Sequence, residues 1–289
     1  MTDAAGARRS PQWPSAASSV VGVIGDPVRH SLSPRLHNAA FDAMGLDWVS
    51  VAFAVPPGRL PEALEGMRAL GIVGLSVTMP HKQQAAALVD EPTPLARRLR
   101  SVNCVTRGAD GRLAGDSTDG QGLLEALRRG ADFEPAGRRC LVVGAGGAAR
   151  AVVAALAEAG AAEVVVVNRS AGRAEEAAAL AGAAGRVGTV ADIPGADLVV
   201  QGTPVGMDDT RGTGGEMPFD PELLRRGQLV ADLVYRPAST ALLEAARARG
   251  ARTVAGLGML VHQAALALER WTGAVVPVGA MWAAVTTGE

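Results

Sequence analysis

The segment Arg139-Cys140-Leu141-Val142-Val143-Gly144-Ala145-Gly146-Gly147-Ala148-Ala149-Arg150 reads as a buried strand, a tight glycine turn and a helix start. Gly144, Gly146 and Ala149 fall on the three positions of the dinucleotide pattern G-x-G-x-x-G/A. Such a turn lets the backbone amides from Gly144 to Ala148 approach a pyrophosphate at the positive end of a helix. A second strand, Glu163-Val164-Val165-Val166-Val167, then runs into Asn168-Arg169-Ser170, with Arg173 one helical turn later. An NAD-binding unit would place an acid there for the adenosine ribose. Two guanidinium groups and a hydroxyl instead suit a 2'-phosphate, through charge-assisted bonds of about 1.5–3 kcal/mol each. The expected cofactor is NADP(H).

Three segments of the first half also bear reactive side chains: Ser31-Leu32-Ser33-Pro34, Thr78-Met79-Pro80-His81-Lys82 and Ser117-Thr118-Asp119-Gly120. Each lies where a strand or loop enters a helix, and ligands of open α/β sheets collect at the carboxyl ends of strands. Ser33 and Asp119 read as helix N-caps. Lys82 is the odd one, because a cation in a helix's first turn opposes the macrodipole by about 0.3–1 kcal/mol. That cost asks for a functional reason. His30, His37, His81 and His262 are scattered and read as structural or solvent-facing.

The elements that must position these groups follow from hydrophobic pattern and punctuation. Strands are expected over Val20 to Gly25, Trp48 to Val55 and Gly71 to Met79, alternating with helices from Ser33-Pro34, over Leu60 to Leu70 and over His81 to Val89. This βαβαβ pattern predicts a parallel sheet. Val102 to Arg107 and Arg112 to Ser117 form an expected hairpin about Asp110-Gly111, and Asp119-Gly120 opens a helix through Leu127. After the dinucleotide unit come strands at Leu198 to Gln201, Leu229 to Val234 and Thr253 to Val254. Helical spacing then returns after Gly256-Leu257-Gly258 through Trp271, and again after Pro277. The expected class is α/β with two domains, the second a Rossmann unit, joined by crossings near Gly120 and Gly256.

Bulk properties agree. The 289 residues suffice for two ordinary domains, and with 48% hydrophobic, 20% charged and only 3% aromatic residues the core must be built from Ala, Val and Leu. A formal net charge of −1 offers no general attraction for nucleic acid or an acidic membrane. Cys104 and Cys140 read as buried thiols, and no disulfide framework or metal-ligand spacing is present. No apolar run has the length of a membrane span, and residues 1–19 lack the apolar core of a signal peptide. That Ala-, Ser- and Pro-rich leader reads as a disordered tail, and a cytoplasmic enzyme is expected.

Taken together and in order, these motifs resemble the shikimate dehydrogenase family, from about Val20 to the C-terminus. Gly25 to Pro34 resembles the family's substrate-carboxylate loop, and Ser76 to Lys82 the strand and turn bearing its catalytic lysine. Ser101-Val102-Asn103 and Ser117 to Gly120 resemble its substrate asparagine and catalytic aspartate segments, and Gly144 to Arg150 with Asn168-Arg169-Ser170 its cofactor site. Asp232 to Tyr235 and Gly256 to Gln263 resemble the stretches that close on substrate and nicotinamide. The resemblance implies NADPH-dependent reversible reduction of 3-dehydroshikimate to shikimate in aromatic amino-acid biosynthesis. It implies Lys82 and Asp119 as a coupled catalytic pair. Ser31, Ser33 and Tyr235 would hold the substrate carboxylate, and Thr78, Asn103 and Gln263 its ring hydroxyls. Thr203, Gly256 and Met259 would join the glycine turn, Asn168, Arg169, Ser170 and Arg173 around the cofactor.

By the same resemblance residues 20–121 form the substrate domain, 122–256 the Rossmann NADP-binding domain, and 257–289 helices that return to the first domain. The partners implied are small molecules, with no nucleic acid and no membrane, in a monomer or homodimer. Two positions depart from the family: it usually has Asn where Ser117 stands, and a residue other than Gln at 201. The alternatives are a quinate/shikimate dehydrogenase of the same superfamily, which tends to replace one of the paired serines, and a non-catalytic nucleotide-binding paralogue, against which the presence of both Lys82 and Asp119 argues.

Overall fold

Alternating β-branched strands and Ala- and Leu-rich helices build two sheets in the computed structural model, which describes residues 14–207 and 216–286. In the first half β1 (Ser19–Gly25), α1 (Ser33–Met44), β2 (Trp48–Ala54), α2 (Leu60–Leu70), β3 (Gly74–Val77) and α3 (Lys82–Leu88) give the expected parallel unit, with β1 between β2 and β3. The sheet continues through β4 (Glu91–Pro92), α4 (Pro94–Leu99) and the hairpin β5 (Cys104–Arg107) and β6 (Leu113–Asp116), in the order β2-β1-β3-β5-β6-β4. β5 runs antiparallel to both β3 and β6, so the sheet is mixed beyond its third strand.

The helix α5 (Asp119–Ala131) leads to the second sheet: β7 (Arg139–Val143), α6 (Gly147–Glu158), β8 (Glu163–Val167), α7 (Ala171–Ala178), β9 (Gly185–Val187), β10 (Leu198–Gln201), β11 (Leu229–Asp232), α8 (Ala241–Ala248) and β12 (Arg252–Ala255). All its pairings are parallel, in the order β12-β11-β10-β7-β8-β9, the doubly wound Rossmann arrangement. The order reverses between β7 and β10. The helices α9 (Gly256–Thr272) and α10 (Val278–Thr286) return to the first sheet, where Val261, Leu268, Trp271 and Met281 share a core with Val21, Leu36 and Phe41. Trp271 packs against Gly74, where a Cβ would come within 2.3 Å of its ring, and its indole N–H donates to the Val105 carbonyl at 3.1 Å.

Several expectations are corrected. Ser33 is not the N-cap of α1: Leu32 takes that position in an αR conformation, and the Ser31 hydroxyl accepts the Ser33 N–H at 3.2 Å. Asp119 is likewise inside the first turn of α5 behind Thr118, which leaves its carboxylate free of capping. The third strand starts later than expected because Gly71, at φ 68°, ends α2 in the left-handed region, and it stops at Val77 because the chain turns at once, the His81 N–H donating to the Thr78 carbonyl at 3.0 Å. Gly256 and Gly258 lie within α9 rather than before it, and the expected boundary at residue 121 falls inside α5. Ordered chain begins ahead of residue 20: Ser15 and Ser18 hydrogen-bond Asp47, and Ser19 already belongs to β1. The rest of the expected tail, residues 1–13, lies outside the described residues.

Candidate active site

Lys82 and Asp119, 37 positions apart in sequence, meet beyond the carboxyl ends of β3 and β6 in the first sheet. The turn after β3 is anchored by His81, whose buried Nε2 donates to the Val55 carbonyl at 2.6 Å, and Lys82 follows as the first residue of α3. Its Nζ donates to Asp119 Oδ2 at 2.6 Å. The two side chains are 17% and 4% exposed, so the lysine keeps some access to the open space beside it while the carboxylate is buried. The unfavourable placement of Lys82 in a helix's first turn is answered here, because Asp119 sits at the positive end of α5, where a carboxylate is favoured.

The second carboxylate oxygen is held as firmly. Asn103 Nδ2 donates to Asp119 Oδ1 at 2.9 Å and to Gln263 Oε1 at 3.1 Å, while Asn103 Oδ1 accepts the Thr118 N–H at 2.8 Å. Gln263 Nε2 in turn donates to the Leu260 carbonyl. Two glycines of α5 make this convergence possible. A Cβ on Gly120 would stand 2.5 Å from the Ala151 carbonyl of α6, and one on Gly122 would stand 2.8 Å from the backbone nitrogen of Gln263 in α9. The helix carrying Asp119 is thus gripped by the first Rossmann helix on one side and by the returning helix on the other.

The serine loop lies along the same rim. Gly25 at the end of β1 touches Thr78 so closely that a Cβ would fall 2.4 Å from Thr78 Cγ2. From the second half Tyr235 reaches across. Burial pushes its phenol above the ordinary value, and a hydrogen bond with the Ser31 side chain pulls the other way. Ser33 is buried in the first turn of α1. Ser31, Ser33, Thr78, Lys82, Asn103, Asp119, Tyr235 and Gln263 therefore fall on linked elements around the carboxyl ends of β1 and β3.

On the second sheet the strand ends form one row in register: Val167, Val143, Gln201, Asp232 and Ala255. Every candidate cofactor residue lies just beyond that row. Gly144 turns at φ 114°, with the position of a Cβ only 3.1 Å from Gly202, and a Cβ on Gly146 would meet nothing within 4 Å. No side chain caps the N-terminus of α6, so its first N–H groups face that open space unspent by a cap. A Cβ on Gly147 would stand 2.7 Å from Ser101 Oγ and 3.3 Å from Lys82, which brings the glycine turn against the lysine. Beyond β8, Arg169 and Arg173 are exposed and form no ion pair among the described residues, and Asn168 donates to the Ser170 carbonyl at 3.1 Å. An open helix N-terminus, a glycine cradle and two uncommitted guanidinium groups fit a dinucleotide bearing a 2'-phosphate. Met259 packs instead into the apolar core beneath the turn, with Ala145 and Ala149. Gly256 is where α9 crosses the chain after β11, since a Cβ there would stand 2.4 Å from the Leu233 carbonyl.

Other residues were not legible beforehand. Arg150, buried at 5% exposure, donates from Nε to the Leu99 carbonyl and fastens α6 to the end of α4. Asp116 receives Arg270 Nε at 2.6 Å and the Thr93 hydroxyl at 2.8 Å, which steadies the strand end just before Ser117. Ser101 and Ser117 hold buried hydroxyls without partners among the described residues. Of the histidines, His37, His81 and His262 are buried in structural contacts, His262 edge-on to Trp282.

Known proteins carry the same pattern. Family models described as the shikimate dehydrogenase substrate binding domain, shikimate / quinate 5-dehydrogenase and the shikimate 5'-dehydrogenase C-terminal domain match residues 23–105, 128–203 and 256–286. The shikimate dehydrogenase (NADP(+)) of Rubrobacter xylanophilus is 48% identical over 274 residues, covering 91% of this chain and 94% of the relative. The chain belongs to the shikimate dehydrogenase family. A solved shikimate dehydrogenase in complex with NADP+ superposes with a TM-score of 0.88 at 36% identity, covering 96% of this chain and 98% of the other. The shikimate 5-dehydrogenase of Thermus thermophilus, solved with NADP(H) and shikimate, gives 0.84 at 39% identity, with 92% and 98% covered. Of the two departures from the family pattern, Ser117 is buried beside Thr118 and Asp119, and Gln201 turns its side chain into its own loop.

Proposed function

We propose that this shikimate dehydrogenase family member catalyses the reversible NADPH-dependent reduction of 3-dehydroshikimate to shikimate, a step of aromatic amino-acid biosynthesis. The observation that carries the reading is the 2.6 Å pair of Lys82 and Asp119 directly under the glycine turn. Held by the glycine turn and the arginines beyond β8, NADPH would supply the hydride for the ketone carbon. Lys82 faces the carbonyl oxygen, stabilises the negative charge that develops there and delivers the proton, and the same groups act in reverse on the shikimate hydroxyl. Asp119, held by Asn103 and by the N-terminus of α5, orients the ammonium and balances its charge.

Ser31, Ser33 and Tyr235 bind the substrate carboxylate with neutral donors, which suffices to orient the ring. Thr78, Asn103 and Gln263 read its hydroxyls, the Asn103–Gln263 contact at 3.1 Å being longer than the 2.9 Å bond from Asn103 to Asp119. Arg169 and Arg173, with Asn168 and Ser170, hold the 2'-phosphate, while Gly144 to Ala148 cradle the pyrophosphate and Thr203 and Gly256 complete the cofactor wall. The unit built on the first sheet binds substrate and the unit built on the second, reached through α5, binds cofactor, while α9 and α10 return to the first. The reading carries with it a cytoplasmic enzyme, monomer or homodimer, that acts on small molecules and no nucleic acid. Among the described residues no helix is long and apolar enough to cross a membrane.

The test is spectrophotometric reduction of NADP+ by the purified chain with shikimate, with quinate and with no substrate. Reduction that depends on shikimate is expected. Reduction driven equally by quinate moves the substrate class to the broader superfamily, and cofactor binding without any turnover overturns the enzymatic reading.

A further inference from the structure

Gln201 closes β10 with a completely buried side chain, so its amide lies out of reach of any bound molecule. All of its hydrogen-bonding capacity goes to the residues that follow. Oε1 accepts the Thr203 N–H at 3.0 Å and lies 3.0 Å from Thr203 Oγ1. Nε2 lies 2.9 Å from Thr203 Oγ1, 3.0 Å from the Val205 carbonyl and 3.2 Å from that of Thr203. The chain leaves the ladder at this point, and the side-chain amide takes the place of a neighbouring strand in satisfying its backbone.

The loop is gripped from its other side by the glycine turn. Gly202 donates to the Val143 carbonyl at 2.8 Å, and a Cβ on Gly144 would stand 3.2 Å from Thr203 Cγ2. Because β7 and β10 flank the point where strand order reverses, residues 202–205 form the wall of the crevice facing the turn.

We propose that Gln201 is a positioning residue for the dinucleotide. It preforms the loop from Gly202 to Val205 against the Gly144 turn, and it engages the Thr203 hydroxyl so that Thr203 meets the cofactor through its main chain and methyl group. The proposal rests on the NADP(H) reading above. A loop already ordered before binding saves the ordering cost at the moment the cofactor arrives, so the residue acts on cofactor affinity and leaves the chemistry alone.

The experiment is a fluorescence titration of NADPH into the wild type, Gln201→Ala, Gln201→Glu, Thr203→Val and the Gln201→Ala/Thr203→Val double variant, with melting temperatures and steady-state constants for each. Gln201→Ala is expected to weaken NADPH about tenfold while the shikimate KM and the kcat at saturating cofactor stay within about twofold. The double variant loses no more than Gln201→Ala alone, because both substitutions open the same clasp. Should Gln201→Ala not fold, Gln201→Glu decides by the same criteria, since it keeps the acceptor for Thr203 and lacks the donor for Val205. An unchanged NADPH affinity overturns the proposal. So does an equal loss towards shikimate with a lowered melting temperature, which marks a merely structural residue. Additive losses in the double variant assign the Thr203 hydroxyl to the cofactor and overturn it as well. A wild type that fails to bind NADPH overturns the cofactor reading itself, before any variant is compared.

Discussion

Lys82 lays its aliphatic stem against Gly147, so the cation of the first sheet and the dinucleotide turn of the second share one van der Waals surface. A Cβ at Gly147 would stand 3.3 Å from both Cβ and Cδ of Lys82 and 2.7 Å from Ser101 Oγ. Gly147→Ala therefore has to displace Ser101 or the lysine, although position 147 is not one of the three fingerprint residues. The expected result is a kcat at least about tenfold lower with a higher NADPH KM, because small displacements of a positioned group are costly to catalysis. Wild-type kinetics from this variant would show that the two surfaces are not in contact in the working enzyme.

Lys82→Ala removes the ammonium and leaves Asp119 held by Asn103 and by the N-terminus of α5. Turnover is expected to fall by about two to four orders of magnitude, the usual worth of a positioned proton donor, with the shikimate KM changed only a few-fold. Steady-state kinetics on the folded variant read both numbers. A kcat near that of the wild type would remove Lys82 from the reaction.

Arg169 is exposed and has no carboxylate partner among the described residues, so its removal costs the fold little. Arg169→Ala is expected to weaken NADPH by about tenfold to a hundredfold, as the loss of one charge-assisted contact implies, and to leave NADH binding nearly unchanged. Titrating both cofactors separates the cases. Equal losses for the two would place Arg169 away from the 2'-phosphate.

The parts of this site that were readable in the sequence are those whose requirements are local. The Gly144 turn needs a positive φ and close backbone approach, and both are written in adjacent residues. The pairing of Lys82 with Asp119 is not local, and it was legible only because the order of motifs matched a family. What escaped depends on tertiary approach. Gly120 and Gly122 read as ordinary helical glycines until α6 and α9 are seen against them. Gln201 was visible only as a departure, and its inward-facing amide belongs to the loop geometry. Ser33 does not act as the cap because the hydroxyl of Ser31, two residues ahead of it, takes the Ser33 N–H, which the pattern Ser-x-Ser-Pro does not distinguish. The short β4, α4 and β9 were missed since two to six residues carry no measurable period.

Stability should depend on pH through two buried groups of opposite sign. Burial lowers the His37 imidazole to about 3, with Nδ1 2.9 Å from the Ser50 hydroxyl and Trp271 edge-on. The unfolded chain therefore binds the extra proton first, and His37's contribution is complete above pH 6.5 and is lost as the pH falls from there towards about 3. Burial raises Asp232 to about 6 against the pull of its bonds from Thr240 and the Val234 N–H. Here the folded chain binds the proton more tightly, so the contribution is complete below pH 3.8 and is lost as the pH rises through about 6, amounting to up to about 3 kcal/mol. Asp232→Asn keeps an acceptor for Val234 and cannot ionise. Melting curves from about pH 4 to about pH 8 should show the wild type losing ground to Asp232→Asn as the pH rises through that window, while His37→Gln flattens the loss on the acid side. The slope against pH, and not the level, is the readout, since either substitution can shift the level by repacking. Parallel curves for wild type and Asp232→Asn would mean that this carboxylate titrates at its ordinary value.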